Sequence, residues 1–196
     1  GRPDEAEKIF VDKLARDPAQ RWATRGLALI RSGRGGDTAA WQSAWEMVKD
    51  PAPGGDQPED RLIRAVVLSR GPDPKTRDQA LTLLDELRAD LPADLPSAAM
   101  ARQMLAQGLL KKDPAKATEV ASVDARSSAA TPAALSLHAA ALIAAGRLDD
   151  ADRQVDRLDA LAPRDLSTVA LRARLLRARG KSSDAAEALV AAAKER

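Results

Sequence analysis

The chain has 196 residues and no cysteine, which removes disulfides, thiol nucleophiles and thiolate metal sites together and sets one domain or one run of repeats as the size class. Hydrophobic residues make up 44% but aromatics only 2%, so Ala and Leu must pack the core; strand formers are sparse and the composition favours an all-α protein. Thirty-one basic and 29 acidic residues are interleaved to a net +2, unlike a nucleic-acid footprint, and no apolar run reaches the roughly 18 residues of a membrane span.

The opening GRPDEAEKIFVDKLARDP reads as the second helix of a pair, with Gly1 as the turn, Ala6 as a small crossing residue, Phe10 as a large one and the closing Pro as the exit. The expected first helix of that pair is absent, as in a piece of a longer array. Ten further helices are expected at roughly 19–32, 37–49, 58–70, 75–90, 96–111, 114–124, 132–145, 148–161, 166–179 and 182–195, with the opening one at 4–16. Trp22 and Gly26 stand four apart in the helix at 19–32, ahead of Leu29 and the turn residue Gly33. DPAPGGDQPED and RGPDPKTRD read as longer loops, and RSSAAT as a flexible stretch too short to link domains. Asp113 before Pro114 and Thr131 before Pro132 each place a capping acceptor ahead of a first-turn Pro.

A period runs through these elements. Gly146 and Gly180 are 34 apart, as are Ala151 and Ala185, Val155 and Leu189, Ala139 and Ala173, Leu142 and Leu176, and Ala6 and Ala40. The middle is stretched, with 40 residues from Ala40 to Ala80 and 37 from Ala80 to Ala117. A single pair of short amphipathic helices cannot bury its apolar face, so neighbouring pairs must stack. Close stacking needs small residues at the crossings, a left-handed Gly between the helices and Pro after the second.

This pattern resembles the tetratricopeptide repeat. The resemblance implies a right-handed α-solenoid of antiparallel helix pairs, about eleven helices in one array over 1–196. Its repeats would lie near 1–18, 19–53, 57–92, 96–129, 132–165 and 166–196, within a larger, bacterial protein. It also implies a groove lined by the first helices, receiving Ala23, Leu27, Ile30 and Arg31 toward one end and Ser136, Ala140, Ile143, Arg174 and Arg177 toward the other. That mixture expects an acidic or amphipathic peptide or partner helix. Members that grip chaperone C-termini use Lys and Asn, and this chain has no Asn, which argues against that role.

The expected function is a non-enzymatic protein–protein interaction scaffold, with no catalytic, cofactor-binding or metal residue assigned and no cofactor. The alternative is a regulatory or substrate-recruiting module of a larger enzyme or secretion and export protein; an RNA-binding helical repeat is the weaker third reading. His138 reads as a helix histidine half-buried between repeats, although Ser136 and nearby Asp residues leave a Ser-His-Asp set open on residue types alone. SGRGGD at 32–37 is Gly-rich ahead of a helix, as a phosphate nest is, but lacks the Lys and Ser or Thr of a P-loop and reads as a long turn. Trp41 and Trp45, four apart, read as core rather than as an exposed anchor. The closing SDAAEALVAAAKER has no polar lid, so end-to-end association or continuation beyond residue 196 is expected. The composition leaves cytoplasm and periplasm equally open.

Overall fold

The structure, a computed structural model, describes residues 2–52, 54–127, 129–162 and 165–194. Among them are eleven helices and no strand: α1 (Pro3–Arg16), α2 (Arg21–Ser32), α3 (Thr38–Val48), α4 (Pro58–Ser69), α5 (Pro74–Asp90), α6 (Pro96–Leu109), α7 (Pro114–Ala125), α8 (Pro132–Ala144), α9 (Leu148–Leu161), α10 (Leu166–Ala178) and α11 (Ser182–Lys194). The fold class is all-α, and every helix end lies within two residues of its expected position. No helix is long and apolar enough to cross a membrane among the described residues.

The sequence reading treats 1–196 as one array; the helices group into two compact units, Gly1–Ala101 and Arg102–Arg196, divided within α6. In the first unit α1 packs on α2, α2 on α3, α3 on α4 and α4 on α5, while α2 also meets α4. In the second, α7 through α11 pack each on the next, and α8 also meets α10. The α2–α4 and α8–α10 contacts join first helices of successive pairs, which is how stacked hairpins share a core.

Local chemistry explains where the helices begin. Asp37, Asp73 and Asp113 accept from the backbone N–H of Ala40, Thr76 and Lys116 at 2.9 Å, and Thr131 accepts from Ala134 at 3.2 Å. Pro follows at the first helical position after Asp73, Asp113 and Thr131, where its missing N–H costs nothing. Helix ends show the repeat at the level of single hydrogen bonds. Arg147 N–H donates to Leu142 and Gly146 N–H to Ile143; 34 residues on, Lys181 N–H donates to Leu176 and Gly180 N–H to Arg177. Both glycines take the left-handed conformation (φ 73° and 79°) that this C-terminal cap requires. The earlier turn differs: Gly33 is right-handed (φ −79°), and Gly36 (φ 80°) supplies the reversal that was expected of Gly33. The expected turn at Gly1 lies outside the described residues.

Small residues do the close packing. Ala80, Ala117, Ala151 and Ala185 are buried at the expected crossings, whereas Ala6 and Ala40 are only half-buried and the crossing on α3 falls to Ala44. Gly26 makes room for its neighbour, since a Cβ there would stand 2.5 Å from the Phe10 ring and the ring would have to shift. Phe10 meets Trp22 edge to face at 5.8 Å. Trp41 and Trp45 stack at 6.4 Å against the cluster of Ala28, Ala44, Val48 and Val67, and Trp41 Nε1–H donates to the Val67 carbonyl at 2.7 Å. They belong to the core. In the second unit Ala125, Leu135, Ala139, Ala140, Val155, Leu158 and Leu171 form one cluster drawn from α7, α8, α9 and α10.

Candidate functional site

The residues expected along a groove have divided fates. Ala23, Leu27 and Ala140 are buried in the core, so they offer no surface to a partner and leave the candidate set. They fall on helix faces covered by a neighbouring helix. Ile30, Ser136 and Ile143 are half-buried, with Ile143 packed against the second unit's core. Arg31 is committed inside the first unit, its Nε–H donating to Glu7 at 2.9 Å and an Nη1–H to Ser43 at 2.7 Å. Arg174 and Arg177 are exposed, with no ion pair among the described residues.

The run LRARLLRARG is thereby split. Arg172 reaches Asp156 of α9 at 3.0 Å, and Arg179 reaches Asp149 and Asp152 at 2.9 and 2.8 Å. These two, seven apart on one face, fasten α10 to α9. Arg174 and Arg177 remain toward solvent.

SGRGGD forms a hollow with Trp41, Arg70 and Pro72, but its cations are spent. Arg34 pairs with Asp4 and Glu7, and Arg70 donates to the Leu29 carbonyl and Ser32 Oγ. Asp37 caps α3. The stretch is a turn built for packing.

A second hollow of about 240 Å³ in the first unit is lined by Arg21, Arg25, Arg64, Asp56 and Asp60. Arg64 binds Asp56 at 2.7 Å and the carbonyls of Val48 and Asp50, which ties the loop after α3 to α4. Asp60 receives Arg25 at 2.7 Å, Arg21 at 3.2 Å and the Gln57 N–H at 2.9 Å. Burial pushes the Asp60 carboxyl up, but the Arg25 and Gln57 hydrogen bonds and the charges of Arg25 and Arg21 outweigh it and hold it below its ordinary value. The Arg64 hydrogen bond holds Asp56 down in the same way.

The sequence reading missed the widest of these hollows, a cleft of about 460 Å³ in the second unit. It lies between α7 and α9, over α8, and Arg126, Arg147, Arg153, Arg157, Glu119 and Asp150 supply its charges. Arg147 and Arg153 share Asp150, whose carboxyl the Arg147 hydrogen bond holds low. Arg157 donates to the Ala125 carbonyl at 3.2 Å and to Gln154 Oε1 at 3.1 Å. Arg126 has no ion pair among the described residues. His138 lines the cleft from α8 at 8% exposure, with Gln154 hydrogen-bonded to its ring and Nδ1 unpartnered. Burial lowers the imidazole pKa first, against the Gln154 bond, and Arg126, Arg147 and Arg157 lower it further. Among the described residues no hydrogen bond joins His138 to Ser136 or to a carboxylate, so they do not assemble the Ser-His-Asp set left open by residue types.

Among the described residues no group of three or more His, Asp or Glu is placed to hold a metal ion. No family model, curated protein or solved structure matches the chain.

Proposed function

We propose that the chain is a helical-repeat module, tetratricopeptide-like in its 34-residue period, that holds a protein or peptide partner rather than catalysing a reaction. One observation carries the reading: in 172–179 two arginines fasten α10 to α9 while Arg174 and Arg177, one turn apart, stand exposed and unpaired among the described residues. Two guanidinium forks on one helix face suit carboxylates spaced one turn apart on an acidic, amphipathic helix. Such a contact fixes orientation and on-rate and is weakened by salt.

A fluorescein-labelled amphipathic helical peptide with Glu at i and i+4, titrated with the full chain, tests this. Saturable binding that weakens about tenfold or more in the Arg174→Glu, Arg177→Glu double variant is expected. Binding unchanged by that reversal places the partner elsewhere, and no binding by the unaltered chain overturns the reading.

A further inference from the structure

The α7–α9 cleft is a different site from the α10 surface, and its chemistry is different. Four arginines line it against two carboxylates, Glu119 and Asp150, which leaves an excess of two positive charges. Only Asp150 is spent on ion pairs there, shared by Arg147 and Arg153. Arg157 is held by neutral acceptors, so its charge is oriented but not cancelled. Arg126, at the C-terminal end of α7, has no ion pair among the described residues. Thr118 and Ser122 are buried in the wall, but their hydroxyls donate to the Pro114 and Glu119 carbonyls and so leave recognition of an anion to the arginines. A buried imidazole with an unpartnered nitrogen completes the lining.

We propose that this cleft binds a dianionic phosphate group, as inorganic phosphate or as the headgroup of a small phosphomonoester. Guanidinium forks match the tetrahedral oxyanion geometry, and a dianion would neutralise the cleft's excess charge. The volume exceeds that of a bare phosphate and leaves room for a small organic substituent. Binding and protonation of His138 are linked: burial lowers the imidazole pKa most and the arginine field lowers it further, and a bound dianion cancels that second part, so each event favours the other. Because His138 is the sole histidine, its ring signal reports the site without assignment ambiguity.

The test is an NMR titration of the full chain at pH 7 and constant ionic strength, following the His138 Hε1 resonance. Sodium phosphate and glycerol 3-phosphate are added in separate series, with sodium acetate and chloride as controls. The expected result is a saturable shift with either phosphate, a His138 titration midpoint that moves up when phosphate is bound, and about tenfold weaker binding in Arg126→Ala, the loss of one charge-assisted contact. Arg126 makes no ion pair among the described residues, so this variant is expected to keep the fold; Arg174→Ala, outside the cleft, is expected to bind as the unaltered chain does. Tighter binding of glycerol 3-phosphate assigns the cleft to a phosphomonoester, and tighter inorganic phosphate assigns it to the free ion. A shift that chloride or acetate reproduces, an Arg126→Ala variant that binds as well, or no saturable shift overturns the proposal.

Discussion

Each unit contains a hollow lined by arginines, and the two use the same side chain to opposite ends. In the first unit Arg21, Arg25 and Arg64 each meet a carboxylate within 3.2 Å, and Arg64 also takes two backbone carbonyls at the end of α3. In the second unit Arg147 and Arg153 divide Asp150 as Arg21 and Arg25 divide Asp60, but Arg157 has neutral acceptors and Arg126 has no ion pair among the described residues. A guanidinium whose donors are all answered holds structure together. One left with spare donors in a cleft is available to an incoming anion. Arginine content alone does not separate the two cases; whether each head group meets a carboxylate does.

The largest expected effect follows from that difference. Arg64→Ala leaves Asp56 and two carbonyls without their donor and should cost about 2–3 kcal/mol, whereas Arg126→Ala should stay within about 0.5 kcal/mol. All three tryptophans, Trp22, Trp41 and Trp45, lie in the first unit, so the urea midpoint of Trp fluorescence reads Arg64→Ala directly. Equal costs for the two variants would erase the distinction between the hollows.

Acid should find the first unit through the same network. Asp56 and Asp60 have folded pKa values below their ordinary ones, so the stability they contribute is complete above about pH 4 and is lost as pH falls through the folded values. Trp-detected urea midpoints are expected to drop steeply below pH 4, and less steeply in Asp60→Asn. An unchanged slope in that variant would show that the Arg21 and Arg25 contacts add nothing to the charged form. Asp150, also held low, is reached by solvent and should add little.

The turns give a smaller contrast. Gly36, Gly146 and Gly180 are left-handed, and replacing any of them by Ala should cost about 1 kcal/mol. Gly33, right-handed, should tolerate Ala within about 0.5 kcal/mol. Thermal denaturation followed by far-UV circular dichroism separates these outcomes; a Gly33→Ala cost equal to that of Gly36→Ala would restore Gly33 as the turn residue.

The helices were legible because Pro, Gly and Asp mark nearly every boundary, and those marks act within a few residues of themselves. The repeat was legible where its period is regular, and the paired caps at Gly146 and Gly180 show why. Which face a helix buries was less legible. The resemblance implied that Ala23, Leu27, Ile30 and Arg31 of α2 line a groove, but a helix in a stack is covered on more than one side, and two of those four are core. Arginine partners were beyond reach for a similar reason. Arg172 finds Asp156 sixteen residues away and Arg70 finds the Leu29 carbonyl forty-one away, pairings that only the packed helices create. The α7–α9 cleft was missed although one signal for it lies in the sequence: Arg147, Asp150, Gln154 and Arg157 recur at helical spacing on one face of α9. His138 and Arg126 come from other helices, and without them that face reads as ordinary solvated surface.

The smallest expected effect concerns His138 and divides the two units by pH. Its folded pKa is lowered, so as pH falls below about 6.5 the unfolded chain takes up a proton that the folded chain refuses, and stability declines until the folded imidazole protonates in turn. One proton limits the slope to about 1.4 kcal/mol per pH unit. Burial of the ring is the largest cause; Arg126, Arg147 and Arg157 add to it, while the Gln154 hydrogen bond and the Asp150 carboxylate favour protonation. Urea midpoints read from the native His138 Hε1 signal should therefore fall between pH 7.5 and 5.5. Midpoints of the His138→Gln variant, read by circular dichroism, should be flat over that range. Trp fluorescence in the first unit, where no histidine titrates, should not follow the same window unless the units unfold together. A His138→Gln variant with the full pH dependence would place the titrating group elsewhere and remove the imidazole from the account of the cleft.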